Sequence, residues 1–332
     1  MPQGVAFDIP YPAAVVAAAE IDKAADATLD WARDLGLVRD AAAADRITGW
    51  RLTELAARFH PAARGDDLLL AANLQCFLFL FDDQFDAAPG GPRAAAVAAA
   101  RELLALLHEP PGTRPRHDVP ATRAWADVWA RSCAGMTAAW RSRAAQDWAG
   151  YLAGVLVEAQ PPVLAPPTTV AEHLSLRRPT VGAYPVLDLA ERVQGCELPD
   201  VAFHTPLLHR LRTITADVAG LCNDVASVEK EERRGTRRNA VLVLEDSAGL
   251  PRAAAVAETV ALVHALIAEL DGLEHLIPDA AAAIGLHAAE RATVDRYVRL
   301  ALHTLIRGNY DWQRHTARYH PAAPPAVPDG LG

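Results

Sequence analysis

Two acidic clusters in this chain carry oxygen donors at helical spacing. The first is Asp82-Asp83-Gln84-Phe85-Asp86, and the second is Asn223-Asp224-Val225-Ala226-Ser227-Val228-Glu229-Lys230-Glu231. Helical residues four apart share a face, so Asp82 and Asp86 point the same way, and Asn223, Ser227 and Glu231 stack along one stripe. Carboxylate, amide and hydroxyl oxygens suit Mg²⁺, which keeps its waters and shares its shell with substrate phosphates. Two such stripes facing each other across a bundle would hold a metal-clamped diphosphate. An isolated acidic pair often only caps a helix or lies on a solvated face. Here Cys76-Phe77-Leu78-Phe79-Leu80-Phe81 runs straight into the aspartates, so the acids end a buried apolar segment. Carboxylates in that setting need a cation or a hydrogen-bond partner. The second stripe is the more specific signal, because three different oxygen ligands keep strict i, i+4, i+8 spacing.

The elements that must present these groups read as helices separated by Pro- and Gly-marked breaks. Helical patterns cover Asp40 to Phe59, Asp66 to Asp86 and Arg93 to His108. A break at Ala87-Ala88-Pro89-Gly90-Gly91-Pro92 follows the first motif, and a loop spans Glu109 to Pro120. Ala121 to Glu158 is one long helix or two, and Pro161 to Pro167 is a loop. Val170 to Gln194 is interrupted at Pro179 to Gly182, and Leu207 to Arg234 ends in the second motif. Further helices run from Arg252 to Leu276 and from Leu286 to Asn309. Alanine and leucine dominate, which favours helix over strand, and no strand pattern or repeat competes. The expected architecture is an all-α bundle.

At this point the motifs resemble those of a known family, the bacterial class I terpene synthases, and within it the pentalenene synthase-like sesquiterpene cyclases. The family's aspartate-rich motif matches Asp82 to Asp86, which puts Asp82, Asp83 and Asp86 forward as metal ligands. Its second motif, (N/D)DxxSxxxE, matches Asn223, Asp224, Ser227 and Glu231, with Asn223, Ser227 and Glu231 as the ligands. Arg177, within Arg177-Arg178-Pro179-Thr180-Val181-Gly182, stands where a diphosphate-sensing arginine is expected. A C-terminal Arg-Tyr pair matches Arg318-Tyr319, preceded by Arg307-Gly308-Asn309-Tyr310-Asp311-Trp312. The resemblance spans one domain over residues 1–319 and implies a helical bundle around a central cavity. It implies Mg²⁺ as cofactor, a cluster of three ions for which Mn²⁺ substitutes. The implied activity is ionisation of an allylic prenyl diphosphate, first of all farnesyl diphosphate, followed by cyclisation to a sesquiterpene hydrocarbon or alcohol. Geranyl and geranylgeranyl diphosphate are the alternative substrates.

Leaving diphosphate must be neutralised. One unit charge pair at about 4 Å and an effective dielectric near 20 gives about 4 kcal/mol, so several cations supply much of the barrier reduction. Arg177, Lys230, Arg234, Arg318 and Tyr319 are the expected donors to diphosphate oxygens. Asp82 is the first expected metal ligand of its motif, Asp83 the least secure, and Asp86 an alternative partner for an arginine that closes the site. Pro179 lacks a donor N–H and Gly182 tolerates unusual backbone, so the helix opens there; the resemblance implies that a freed carbonyl draws electron density as diphosphate leaves. The other reading is an ordinary kink. The cation must then be guided without quenching, which needs apolar or aromatic walls. Phe77, Phe79, Tyr184 and Trp312 are the wall candidates, each aromatic stabilising a cation by roughly 0.5–2 kcal/mol. The sequence departs from the pentalenene type at Gln313, at the Phe77-to-Phe81 run and at Tyr184-Pro185, which leaves the product open. The terminating base is equally open between diphosphate, a wall residue and water.

Composition narrows the alternatives. The net charge of −9 argues against nucleic acid and anionic membrane as partners. No leader pattern is present, and Leu68 to Phe81 is expected to be too short to span a bilayer. Cys76, Cys133, Cys196 and Cys222 are widely spaced and read as reduced thiols of a cytoplasmic protein, monomeric or homodimeric. The histidines read as surface or packing residues. The tail from Pro321 to Gly332, within 320–332, is Pro-rich and expected to be disordered. A chain-elongating prenyltransferase would carry two aspartate-rich motifs, against the Asn-Ser-Glu set here. A non-catalytic helical metal-binding protein gives no reason for Arg177 and Arg318-Tyr319.

Overall fold

The computed structural model of the chain describes residues 5–86, 94–158, 167–233 and 235–319, without the side chain of Asp86. The expected break after Asp86, the loop from Pro161, Arg234 and the tail 320–332 therefore lie outside the described residues. Among the described residues the chain is helical with no strand. The first helices are α1 (Ala18–Asp34), α2 (Ala41–Trp50), α3 (Leu52–Phe59), α4 (Asp66–Asp86) and α5 (Ala94–Leu106). They are followed by α6 (Pro120–Cys133), α7 (Ala138–Glu158), α8 (Val170–Thr180), α9 (Ala183–Val193), α10 (Asp200–Phe203) and α11 (Pro206–Arg233). The last are α12 (Ala240–Ala248), α13 (Arg252–Glu274), α14 (Ile277–Ala283), α15 (Ala288–Tyr297) and α16 (His303–Gln313), with a short 3-10 turn at Ala317–Tyr319.

Several boundaries differ from the sequence reading for visible reasons. The expected helix from Asp40 to Phe59 is two helices, broken at Arg51, which takes left-handed backbone with φ 55°. The carbonyl of Trp50 just before it accepts from Trp312 Nε1 at 2.7 Å and from Thr316 Oγ1 at 3.0 Å. Distant side chains thus claim a carbonyl at the end of α2, where the helix has no donor of its own for it. The segment Ala121 to Glu158 resolves into α6 and α7, parted at Gly135 with φ 78°. The run from Leu286 is α15 and α16 joined through a π-helical turn at Val298–Leu302.

One cavity is bordered by residues of α3, α4, α7, α8, α9, α11 and α16 and of the 3-10 turn, and the apolar core around it draws on nearly every helix. All four cysteines are free and buried. One expectation is corrected: the apolar stretch belongs to a 20-residue span, Asp66–Phe85, long and apolar enough by length and composition to cross a membrane. Arg252–Glu274 passes the same test. The first span is 72% buried inside the bundle, so its apolar surface is spent on neighbouring helices.

Candidate active site

The face of α4 that borders the cavity is Gln75, Leu78, Phe79, Asp82 and Phe85, the i, i+3, i+4, i+7 pattern of one helical stripe. Asp82 stands on that stripe with its side chain 42% exposed. Asp83, one residue on, is rotated about 100° away and is sealed in the protein. Its carboxylate receives both ends of the Arg318 guanidinium, at 2.9 and 3.2 Å. This corrects the expectation for Asp83: it is occupied as the partner of a buried arginine, the role considered for Asp86. Asp86 itself cannot be placed, since its side chain lies outside the described residues.

On the same cavity, α11 presents Asn223, Ser227, Lys230 and Glu231. Ser227 Oγ lies 2.7 Å from Glu231 Oε1, so the stripe expected from the spacing converges in space. Glu231 also accepts from Asn239 Nδ2 at 2.9 Å. Burial and the nearby Asp224 raise the pKa of Glu231, against the opposing pull of Arg177 and of its hydrogen bonds with Asn239 and Ser227. Arg177 donates to Asn223 Oδ1 at 3.1 Å, and Asn223 Nδ2 donates to the Tyr319 hydroxyl at 2.6 Å. Arg177 can only donate, so it fixes the amide oxygen on its own side. Tyr319, accepting from Asn223, keeps its own O–H free to donate; burial holds that hydroxyl protonated by pushing its pKa up to about 12. Asp224 faces away from the cavity, where it binds His173 Nε2 at 2.6 Å and the backbone N–H of Ala240 at 2.9 Å. His173 is thus a packing residue that ties α8 to α11.

Arg177 belongs to the last turn of α8, which stops at Thr180 despite Pro179 inside it. Gly182 takes left-handed backbone with φ 75° and starts α9. The interruption expected at Pro179 to Gly182 is present, and Thr180, Val181 and Gly182 all line the cavity. Thr180 Oγ1 receives Arg177 Nη1 at 3.3 Å and donates to Glu158 Oε1 at 2.9 Å. The last turn of α7 therefore holds the break from outside, and Arg238 Nη1 reaches the Glu158 carbonyl at 2.9 Å. Glu158, Thr180, Thr236 and Arg238 border the cavity, and sequence reasoning missed them. No spacing rule connects Glu158 on α7 to the groups it meets.

Of the expected wall aromatics, Phe79 and Trp312 line the cavity, their rings edge to face at 5.3 Å. The Arg318 guanidinium lies 4.7 Å from the Phe79 ring and 4.5 Å from Trp50. Phe77 and Tyr184 are corrections. Phe77 is two residues from Phe79, about 200° around the helix, and packs in the core on Phe81 at 5.2 Å and Trp148 at 6.0 Å. On α9 the cavity is met by Ala183 and Val186, while Tyr184 turns toward Arg212 at 5.6 Å. The cavity volume is about 340 Å³, at the lower end for a pocket that takes a drug-sized ligand. Lys230 and Arg318 border it, while Arg234 lies outside the described residues.

The donor set suits a hard divalent cation. Among the described residues no three His, Cys, Asp or Glu side chains are grouped so as to hold a metal ion by themselves. The oxygens instead come as one amide, one hydroxyl and one carboxylate on α11, on the same cavity as Asp82 of α4. That sparse mixture leaves coordination positions for water and phosphate oxygens, as a Mg²⁺-type ion requires.

Comparison with known proteins agrees with this geometry. The family model described as terpene synthase family 2, C-terminal metal binding, matches residues 73–269. A (−)-β-caryophyllene synthase of Saccharothrix espanaensis, named as cyclising (2E,6E)-farnesyl diphosphate, is 45% identical over 318 residues, covering 96% of this chain and 89% of its own. Pentalenene synthase of Streptomyces exfoliatus is 38% identical, with 96% and 94% covered. The solved structure of a linalool/nerolidol synthase from Streptomyces clavuligerus, in complex with 2-fluorogeranyl diphosphate, superposes with a TM-score of 0.83. It is 33% identical and covers 95% of this chain and all of its own.

Proposed function

The chain belongs to the bacterial class I terpene synthases, and from that premise we propose that it ionises farnesyl diphosphate and cyclises the resulting cation to a sesquiterpene. The observation that carries this reading is that Asp82, Asn223, Ser227 and Glu231 border one cavity together with the cations Arg177, Lys230 and Arg318 and the apolar side chains Leu55, Leu78 and Phe79. Mg²⁺ held by these residues, three ions in the full cluster with Mn²⁺ as substitute, would neutralise the departing diphosphate.

The chain's own residues supply the rest. Arg177 and the Tyr319 O–H, both in contact with Asn223 on the cavity, would donate to diphosphate oxygens, as would Lys230 and Arg318, which border the same cavity. Because Arg177 touches both Asn223 and Thr180, it links the metal-binding stripe to the helix break that ends in Gly182. Phe79 and Trp312 border the cavity, so the cation would meet aromatic side chains there and be shielded from water. A shorter substrate is the second reading, favoured by the similar linalool/nerolidol synthase that was solved with a geranyl diphosphate analogue.

The test is gas chromatography–mass spectrometry of extracts after incubation with Mg²⁺ and farnesyl diphosphate. A cyclic C15 product that vanishes with chelator is the expected result. Product from geranyl diphosphate alone would favour the second reading, and no product from any prenyl diphosphate would overturn both.

A further inference from the structure

Gln75 stands apart among the residues that border the cavity. It lies seven residues before Asp82 on the same stripe of α4, about 10 Å along the helix from the metal-binding end. Only 2% of it is exposed. Its Nε2 is enclosed and finds no hydrogen-bond partner among the described residues. The other buried amide on the cavity is different: Asn309 donates to the Ala219 carbonyl at 3.1 Å and accepts from Gln313 Nε2 at 3.1 Å. Burying an amide without a partner is costly, and packing alone would be served better by leucine. With the nitrogen enclosed, the carbonyl oxygen is the end of the amide left to address the cavity.

A prenyl chain that fills the cavity expels the solvent that could otherwise satisfy this group. A carbocation migrating along the chain then supplies the positive charge that an amide oxygen attracts. Fixed dipoles of this kind stabilise charge without having to reorganise. We propose that Gln75 is a specificity-determining residue for the reaction, its amide oxygen favouring positive charge on the part of the prenyl chain remote from the leaving group and so selecting which ring closure wins. The step involves no bond to Gln75 and no proton transfer. This inference rests on the function proposed above.

The experiment compares wild type, Gln75→Leu and Gln75→Met with farnesyl diphosphate and Mg²⁺, reading diphosphate release, product spectrum and melting temperature together. The expected result is a product ratio moved by about tenfold or more, or new skeletons, while diphosphate release falls by less than about threefold, because the ionising groups are untouched. An unchanged product spectrum in a folded variant overturns the inference, as does release falling in step with product at constant ratio. If neither variant folds, Gln75 is a packing residue and the inference is equally overturned; if only one folds, that one decides. A wild type that releases no diphosphate fails the function itself, an outcome separable from an active wild type with indifferent variants.

Discussion

At the scale of single residues, adjacent carboxylates on one helix meet the same arginine unequally, Asp83 at 2.9 Å and Asp82 at 3.6 Å from Arg318 Nη2. Asp82 is half-open on the cavity, while Asp83 is buried against Arg318. Removing one partner of a buried pair leaves an uncompensated charge and costs about 3–5 kcal/mol. Asp83→Ala is therefore expected to lower the melting temperature sharply and to lose activity through misplacement of Arg318. Asp82→Ala should melt near wild type yet lose turnover by about a hundredfold or more, the scale of removing a group that stabilises transition-state charge. Equal melting temperatures for the two variants would sink this division. Asn223→Ala belongs with Asp82. Calorimetry should show its binding of inorganic diphosphate with Mg²⁺ weakened by about tenfold or more, as expected for the loss of a metal ligand and of the anchor for Arg177. Unchanged diphosphate binding and turnover in that variant would exclude Asn223 as a ligand. The stripe Asn223, Ser227, Glu231 was legible in the sequence because helical periodicity alone dictates it. The same periodicity puts Phe77 on the far side from Phe79, whereas aromatic character alone does not separate the two. Gln75 was legible by that rule too, being two turns before Asp82.

At the scale of elements, the helix break is held by close packing from α7. A Cβ built on Gly154 would lie 2.8 Å from Thr180 Cγ2 and 2.9 Å from Pro179 Cβ, nearer than side chains tolerate, and the proline ring cannot swing aside. Gly154→Ala is expected to push α8 off α7 and move Thr180, and with it Arg177, away from the cavity. Overpacking of this kind costs about 1–3 kcal/mol. The informative readout is the ratio of kcat to stability loss. A displaced break should lower kcat by about tenfold, because a small misplacement of positioning groups is expensive. Wild-type kcat in a folded Gly154→Ala protein would mean that the break tolerates displacement. Helices and their Pro–Gly punctuation were readable from sequence, including the interruption before α9. The break at Arg51 was not, because it depends on Trp312 and Thr316, more than two hundred residues away, reaching the Trp50 carbonyl. Local propensity carries no trace of such a contact.

At the scale of the molecule, a buried charge network ties together three of the helices that border the cavity. Arg143 on α7 donates to Glu191 at 2.9 Å and to Asp200 at 2.9 Å. Arg212 on α11 donates to Asp188 at 2.9 Å, to Asp147 at 2.6 Å and to the Tyr297 hydroxyl. Asp188 and Glu191 both lie on α9, the helix that starts at the break. Burial raises the pKa of Asp188, with Asp147 adding to the effect. Burial likewise pushes Glu191 up to about 7, against the opposing pull of Arg143 and Arg212 and of the Leu198 N–H. Glu191 Oε1 has no donor among the described residues, which is where a proton, or an amide NH₂, would sit. The folded protein therefore holds a proton on Glu191 more tightly than the unfolded chain does. Its contribution to stability is fully present below the ordinary value of 4.5 and is lost as pH rises through about 7. A rise from 4.5 to about 7 limits this one group to about 3 kcal/mol, a few degrees in melting temperature for a chain of this size. Glu191→Gln keeps the shape of the protonated side chain and cannot ionise. Between pH 5 and 8, values that bracket this titration, its melting temperature should lose part of the decline that wild type shows with rising pH. Thermal melts of both proteins across that range check the sign. Parallel curves would mean that Glu191 stays ionised throughout, and that the two arginines, not a shared proton, balance the carboxylates between α7, α9 and α11.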